Sequence, residues 1–231
     1  MPPPDPPVPS RGRGVRRLAH QRLAHRRLPR RLAQLYAGLV VFAFGEALIV
    51  EAALGVIPWD VLHQGLVRIA GLSIGQWSIL VGALVLLLWL PLRERPGLGT
   101  VSNVLVIGAT LDVFIRWLPT PQPLGWRVAF LVAGIGINGV ATAAYIGARL
   151  GPGPRDGLMT GLVRVTGASV RLVRTAIEVT VVAVGWLLGG NLGVGTVLFA
   201  LIIGPVVHVT LPLLTVPEAP PAPGADELRG E

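Results

Sequence analysis

One motif occurs twice in this chain, and the two copies are separated by a fixed interval of 96 positions. The segment LGVIPWD at 54–60 returns as LGPGPRD at 150–156, and positions 96 apart are called equivalent below. Further identical equivalent pairs are Arg68 and Arg164, Gly97 and Gly193, Gly99 and Gly195, and Thr100 and Thr196. The interval is too long for a solenoid unit of roughly 20–50 residues. We therefore interpret it as duplication of a half-domain, and the fold must be built from two related halves.

Composition places the chain among membrane proteins. Of its 231 residues 52% are apolar and 14% are charged, a balance typical of membrane-embedded chains. A net charge of +8 in a soluble protein would suggest nucleic acid, but nine arginines lie between positions 11 and 31, just before the first apolar run. There they orient a membrane helix, and we expect no nucleic-acid partner. The absence of cysteine excludes thiolate metal sites, and we predict no metal or cofactor.

The apolar runs predict an all-α polytopic membrane helix bundle. The run 32–54 reaches the roughly 20 residues that a spanning helix needs. Five further spans are predicted at 76–92, 98–117, 126–148, 170–188 and 194–214. The amphipathic segments 58–70 and 154–166 would extend only about 20 Å, which is too short to cross a hydrocarbon core of about 30 Å. We therefore expect about six transmembrane helices plus two short broken or re-entrant helices.

The domain organisation follows from these runs. Residues 1–31 form a disordered Pro-rich and Arg-rich cytoplasmic arm that turns helical near the bilayer. The halves are 32–118 and 126–215, joined by the linker 119–125 and followed by a disordered tail at 216–231. Three spans per half is an odd number, so the second half enters the membrane from the opposite side and the tandem repeats are inverted.

The distribution of arginine supports this orientation. The inner side receives the arm and Arg93, Arg95, Arg149, Arg155, Arg164 and Arg171, and the outer side receives Arg68, Arg116 and Arg127. Positive residues concentrate on the cytoplasmic side of membrane proteins. We therefore predict a multi-pass protein of the inner (plasma) membrane with both termini in the cytoplasm. In the alternative, the short helices also span, which gives eight helices and parallel repeats.

Several motifs together resemble the YczE/YitT-like family of bacterial integral membrane proteins. They are the two segments 54–60 and 151–159, the paired GLGT at 97–100 and GVGT at 193–196, and Arg174-x-x-x-Glu178. The resemblance covers roughly residues 33–212 and implies a membrane location and a helical architecture. The family has no settled biochemical activity, so the resemblance supplies no catalytic residues.

The repeated helix starts are the first candidate site. Pro58 and Pro154 fit a first helical turn, where Asp60 and Asp156 would meet free N–H groups and the positive end of the helix dipole. These residues mark helix starts, or they belong to short helices whose N-termini point at a substrate or ion. The halves differ at one equivalent pair, Trp59 and Arg155. Arg155 could bind an anionic group, pair with Asp156 or contact lipid phosphate.

Other ionisable residues lie within predicted spans. Glu46 has no basic residue at helical spacing, and an isolated carboxylate in hydrocarbon requires a partner or water, so Glu46 is our strongest candidate for function. Arg174 and Glu178 are four positions apart and predict a salt bridge on one helix face. Asp112 and His208 are equivalent, and they form a proton relay or reach interfacial water at helix ends.

Two functions remain open. The Gly-x-Gly-Thr pairs are not nucleotide loops, because a P-loop requires a lysine that this chain lacks. We expect no enzymatic activity. The first hypothesis is a small secondary transporter or permease, with an unknown small molecule bound between the repeats by Trp59, Asp60, Arg155, Asp156 and Glu46. The second is a non-transporting scaffold or accessory protein that binds anionic lipid through the arginine arm, or binds a partner membrane protein.

Overall fold

All regular structure in the described part of the chain is α-helical. The computed structural model describes the backbone of residues 11–217 and the side chains of residues 28–217. The eight helices are α1 (Arg11–Ala52), α2 (Pro58–Ala70), α3 (Ile74–Leu88), α4 (Leu98–Trp117), α5 (Leu124–Gly147), α6 (Pro154–Thr166), α7 (Val170–Leu187) and α8 (Val194–Leu214). The predicted all-helical class is confirmed for this part of the chain.

Four helical segments in the described part of the chain are long and apolar enough to cross a membrane. They are Leu28–Ala52 within α1, and the helices α4, α5 and α8. The helices α2 and α3 pass the same test only together, as a pair bent by 111°, which gives a fifth candidate. With 15 residues α3 extends about 22 Å, and α7 carries three charged residues. The structure supports a multi-pass helical bundle, and the count of six spans stays a prediction.

The ends of the membrane region differ from the prediction. Helix α1 begins at Arg11, inside the segment predicted as a disordered arm. Arginine, leucine, alanine and glutamine all favour helix, so α1 continues beyond the span toward the N-terminus. Val216, assigned to the disordered tail, is buried and its N–H donates to the Gly147 carbonyl at 2.9 Å. Residues 1–10 and 218–231, also predicted as disordered, lie outside the described residues.

Helices α1 and α5 pack antiparallel through small residues. A Cβ added to Gly38 would lie 3.3 Å from the Ala141 carbonyl oxygen, and one added to Gly45 would lie 3.0 Å from that of Gly134. The two contacts are equivalent to each other, because 38 + 96 = 134 and 45 + 96 = 141. Small residues allow helix backbones to approach closely in membranes. The first helices of the two halves therefore form the central contact of the bundle.

The last helix of each half also begins with a backbone hydrogen bond to the break that precedes the short helix of the other half. The Gly99 N–H donates to the Leu150 carbonyl at 2.8 Å, and the Gly195 N–H donates to the Leu54 carbonyl, also at 2.8 Å. The breaks before α2 and α6 need a left-handed backbone, which Gly55 adopts at φ 110° and Gly151 at φ 132°. These bonds satisfy backbone carbonyl groups that lie between helices and have no partner in a helical hydrogen-bond ladder. The starts of α4 and α8 thus fix the positions of the two short helices.

The halves differ in how their last two helices pack. Helix α3 lies along α4, whereas α7 and α8 do not pack side by side. A Cβ added to Gly108 of α4 would lie 2.6 Å from the Gly75 carbonyl oxygen, but one added to the equivalent Gly204 of α8 would meet nothing within 4 Å. Gly75 has Arg171 as its equivalent, and Gly82 has Glu178. Large charged side chains on α7 thus replace the glycines that let α3 approach α4.

Candidate functional site

A cavity of about 460 Å³ lies in the middle of the helices. Residues from all eight helices line it, including Phe42, Val81, Val85, Ile107, Ile177, Phe199 and Ile203 as apolar walls. Its polar lining is Trp59, His63, Ser78, Asn103, Asn138, Thr142, Tyr145, Arg155, Asp156, Arg174, Glu178 and His208. Mostly apolar cavities of roughly 300–1,000 Å³ with a few polar groups are typical of small-molecule sites.

The equivalent residues Trp59 and Arg155 meet in this cavity. The Arg155 guanidinium carbon lies 4.7 Å from the centroid of the Trp59 ring, a cation–π contact. Trp59 is buried and Arg155 is half-buried. Among the described residues, no hydrogen bond or ion pair occupies the N–H groups of Arg155. An anion, Asp156 and lipid phosphate stay possible partners of this guanidinium, and the structure adds a contact with Trp59 in the first turn of α2.

Two carboxylates are buried next to this contact. Glu46 of α1 is fully buried, and neither carboxylate oxygen has a hydrogen-bond partner among the described residues. Asp60 of α2 is fully buried as well. Its Oδ1 lies 2.9 Å from His63 Nδ1, while its Oδ2 has no described partner. The charges of Asp60 and Arg155 both act on Glu46. The structure therefore brings Glu46, Asp60, Trp59 and Arg155 together.

Two polar residues that were not placed in the predicted site join the cluster. His63 lies one turn after Asp60, and the i, i+3 spacing was its only signal in the sequence. Asn138 of α5 is fully buried and donates through Nδ2 to the Phe42 carbonyl at 3.3 Å. In a helix that carbonyl faces the amide of the residue four positions on, which is Glu46. Asn138 thus lies beside Glu46, and its Oδ1 has no described partner.

Asp156, the second aspartate of the repeated motif, is less deeply buried than Asp60. Asp156 is half-buried in the first turn of α6, next to Arg155. Arg174 and Glu178 form the predicted ion pair, with Nε to Oε1 at 3.0 Å, where α7 departs from α8. Both side chains are partly exposed, and exposed pairs contribute little to stability. The ion pair therefore contributes to the lining of the cavity more than to the stability of the fold.

The structure does not bring Asp112 and His208 together. Asp112 Oδ2 accepts from Ser73 Oγ at 2.5 Å and its Oδ1 accepts from the Gly75 N–H at 2.9 Å, so it ties α4 to the start of α3. His208 is exposed and lines the cavity on the side of α8. Asp112 therefore bonds to the start of α3, whereas His208 faces the cavity, and a proton relay through the two residues stays a prediction.

Comparison with known proteins adds the family. A family of unknown function, DUF6198, matches residues 29–212. The chain belongs to this family. It is 42% identical over 180 residues to an uncharacterized protein of Haemophilus influenzae, covering 78% of this chain and 83% of the relative. It is 37% identical over 179 residues to the uncharacterized membrane protein YczE of Bacillus subtilis, covering 77% and 83%. Identity to YyaS of Bacillus subtilis is 25% over 181 residues, covering 77% and 90%.

The resemblance to YczE is confirmed by this relationship. No solved structure matches the chain. The matched region runs from the apolar part of α1 to the last turn of α8, which is the part of the chain that surrounds the cavity. Together with the apolar helices, the relationship to YczE identifies an integral, multi-pass membrane protein.

Proposed function

We propose that this protein is a small secondary transporter whose substrate binds in the cavity between the two halves. The observation that carries the proposal is that the first turns of α2 and α6 both reach the cavity, with Arg155 of α6 stacked on Trp59 of α2. Short helices whose N-termini point at a central site are a recurring feature of secondary transporters. We propose transport and not enzymatic activity, as the sequence motifs also led us to expect.

The proposal includes two inverted repeats. Two observations support them: the antiparallel packing of the equivalent helices α1 and α5, and the paired bonds from Gly99 to Leu150 and from Gly195 to Leu54. A twofold axis in the membrane plane would relate both sets of contacts. In this arrangement α3 and α7 are counted as spans, which gives six. Both termini then face the cytoplasm from the inner (plasma) membrane.

The substrate class follows from Arg155. A guanidinium presents several N–H donors that match the geometry of a carboxylate or another oxyanion. The Arg155 donors are unoccupied among the described residues, and the surrounding walls are mainly valine, isoleucine and phenylalanine. We therefore propose a small organic anion with an apolar body. The anionic group would bind Arg155, and the body would lie against the apolar wall.

The different packing of the two halves supports alternating access. Helix α4 is closed against α3 and held there by Asp112, whereas α8 is open from α7 around Gly204 and His208. If inverted halves exchange conformations, the second state would close α7 on α8 and separate α3 from α4. In the proposed orientation the open side, lined by Arg174 and His208, faces the cytoplasm.

The scaffold role is the alternative. It depends on anionic lipid at the arginine arm, and the side chains of residues 11–27 lie outside the described part of the chain. Arg31, at the end of the arm, donates from Nε to the Ala148 carbonyl at 2.8 Å and from Nη2 to the Arg149 carbonyl at 2.5 Å. It therefore fastens α1 to the end of α5. The cavity favours transport over this role.

Uptake by proteoliposomes tests the proposal. The full chain is reconstituted, and entry of radiolabelled benzenesulfonate is compared with entry of neutral benzamide. Benzenesulfonate stays ionised at all working pH values, so it does not leak across the bilayer as a neutral acid. We expect saturable uptake of the anion alone. Replacing a hydrogen bond to a charged group removes about 1.5–3 kcal/mol, so Arg155→Gln should weaken anion affinity roughly 10- to 150-fold.

The matched control is Arg164→Gln on the same helix. Arg164 lies outside the cavity and pairs with Glu94 at 2.8 Å on the protein surface. This variant should transport the anion like the wild type. Equal affinity in Arg155→Gln and wild type would overturn the anion site. Wild-type vesicles that take up no more benzenesulfonate than protein-free vesicles would overturn its transport.

A further inference from the structure

A second polar site lies behind the cavity. Glu46 and Asp60, called the carboxylate pair below, are fully buried and are not part of the cavity lining. His63 does line the cavity, and its Nδ1 faces Asp60 at 2.9 Å. His63 therefore connects the cavity to the carboxylate pair.

The site contains more hydrogen-bond acceptors than its described donors satisfy. Three of the four oxygens of the carboxylate pair, together with Asn138 Oδ1, are buried and have no hydrogen-bond partner among the described residues. Buried acceptors of this kind are costly, and carboxylates in a membrane interior are the most costly of them. With Glu46, Asp60 and Asp156 ionised and Arg155 as the counter-charge, the local charge would be 1 − 3 = −2. Arg155 alone therefore does not balance the charge of the carboxylates.

We propose that the carboxylate pair holds one exchangeable proton and that this proton drives uptake of the anion; the second part rests on the proposed transport function. A shared proton supplies the missing donor and removes one negative charge. A hard divalent cation fits less well, because such ions take about six or more oxygen ligands, and the described cluster leaves four oxygens unpartnered.

The neighbouring groups give the proton a path and an effect. Charged or titratable groups face the pair from α2 (His63), α5 (Tyr145) and α6 (Arg155 and Asp156), and Arg174 of α7 acts on Asp156. In the proposed step His63 starts with its proton on Nδ1, facing Asp60, and takes a second proton on Nε2 from a hydronium ion in the cavity, which leaves a water molecule. The Nδ1–H bond then breaks as an O–H bond forms on Asp60, which leaves a neutral imidazole.

Protonation of the pair changes the environment of Arg155. While both carboxylates are ionised, they attract the guanidinium, since the charges of Glu46 and Arg155 act on each other. One bound proton removes one negative charge beside Arg155, so an incoming anion meets less repulsion there. Proton binding thus raises anion affinity, and by linkage the anion raises proton affinity to the same extent. The coupling predicted is symport of one proton with the anion.

Infrared spectroscopy tests the proton without requiring transport. Purified full-length protein in lipid nanodiscs is measured at neutral pH, where exposed carboxyl groups are ionised. We expect the carbonyl stretch of a protonated carboxylic acid, shifted in D₂O, in the wild type but not in Glu46→Gln. The control is Glu51→Gln on the same helix, because Glu51 is buried but accepts a hydrogen bond from Thr120. It should keep the band.

Two results would overturn the proton site. One is a wild type without the band, or a Glu46→Gln variant that keeps it. The other is a band that is present in KCl and lost in NaCl, because sodium would then occupy the site in place of the proton.

A transport measurement tests the coupling separately. Benzenesulfonate uptake into vesicles loaded with a pH-sensitive dye should acidify the lumen with wild type. Glu46→Gln should admit the anion down its own gradient without acidification, which also shows that the variant is folded. Uptake by wild type without acidification would reject the coupling but leave the transport function standing. The infrared band without any uptake would support the proton site and reject the transport function.

Discussion

The glycines at equivalent positions of α4 and α8 provide a paired test of alternating access. Gly108→Ala adds a methyl group 2.5 Å from Ile79 Cγ1 and 2.6 Å from the Gly75 carbonyl oxygen, whereas Gly204→Ala adds one to open space. Overpacking of a tight contact costs about 1–3 kcal/mol. The gain in helix propensity, about 1 kcal/mol, is common to both substitutions and cancels between them.

The two substitutions should therefore shift the conformational equilibrium in opposite directions. A difference of about 1–3 kcal/mol corresponds to roughly 5- to 150-fold in the ratio of two states. Gly108→Ala should lower the ratio of the state with α3 closed on α4 to the other state by that factor. Gly204→Ala should raise it, because the added methyl group would obstruct closure of α7 on α8 in the other state.

Distances between spin labels measure these populations. The chain contains no cysteine, so pairs can be introduced without background labelling. Leu84 and Leu105 are exposed on α3 and α4, and their equivalents Thr180 and Leu201 are exposed on α7 and α8. Gly108→Ala should lengthen the first distance and shorten the second in a larger share of molecules. Folded variants whose distances stay unchanged, or shift in the same direction for both substitutions, would refute alternating closure.

Two further predictions concern orientation and the arm. Cysteines placed at Arg68 and Arg164 should react with a membrane-impermeant maleimide from opposite sides of the membrane, because inverted repeats place equivalent positions on opposite faces; labelling from one side would support parallel repeats. Deletion of residues 1–27 should preserve both membrane insertion and benzenesulfonate uptake, measured in the same vesicles. Loss of uptake despite normal insertion would instead favour the scaffold role.

The short helices were predictable because their signals are local. Proline in the first turn and glycine after the last residue limit α2 to Pro58–Ala70 and α6 to Pro154–Thr166, which are the bounds that the sequence indicates. The sequence predicts an arm that turns helical only near the bilayer, whereas α1 begins at Arg11, because the arginine, leucine and alanine residues of the arm favour helix.

The buried cluster was only partly predictable, because it lies where the two halves differ. Glu46 is equivalent to Thr142, His63 to Met159 and Asn138 to Phe42, so the internal repeat draws no attention to these positions. Glu46 could be selected from the cost of a lone carboxylate in hydrocarbon. The convergence of His63 and Asn138 on that carboxylate depends on tertiary packing of α2 and α5 against α1, which spacing along the chain does not reveal.

The paired backbone bonds have a consequence for biogenesis. The Leu54 carbonyl is satisfied by the Gly195 N–H, which the ribosome adds 195 − 54 = 141 residues later. Until then the first half presents an unpaired peptide group at its break, which the bilayer cannot hydrate. The nascent protein must therefore tolerate an incomplete intermediate for most of its synthesis. A chain truncated before α8 would lack the donor for the Leu54 carbonyl. Its first half would therefore stay incompletely hydrogen-bonded and become a substrate for membrane quality control.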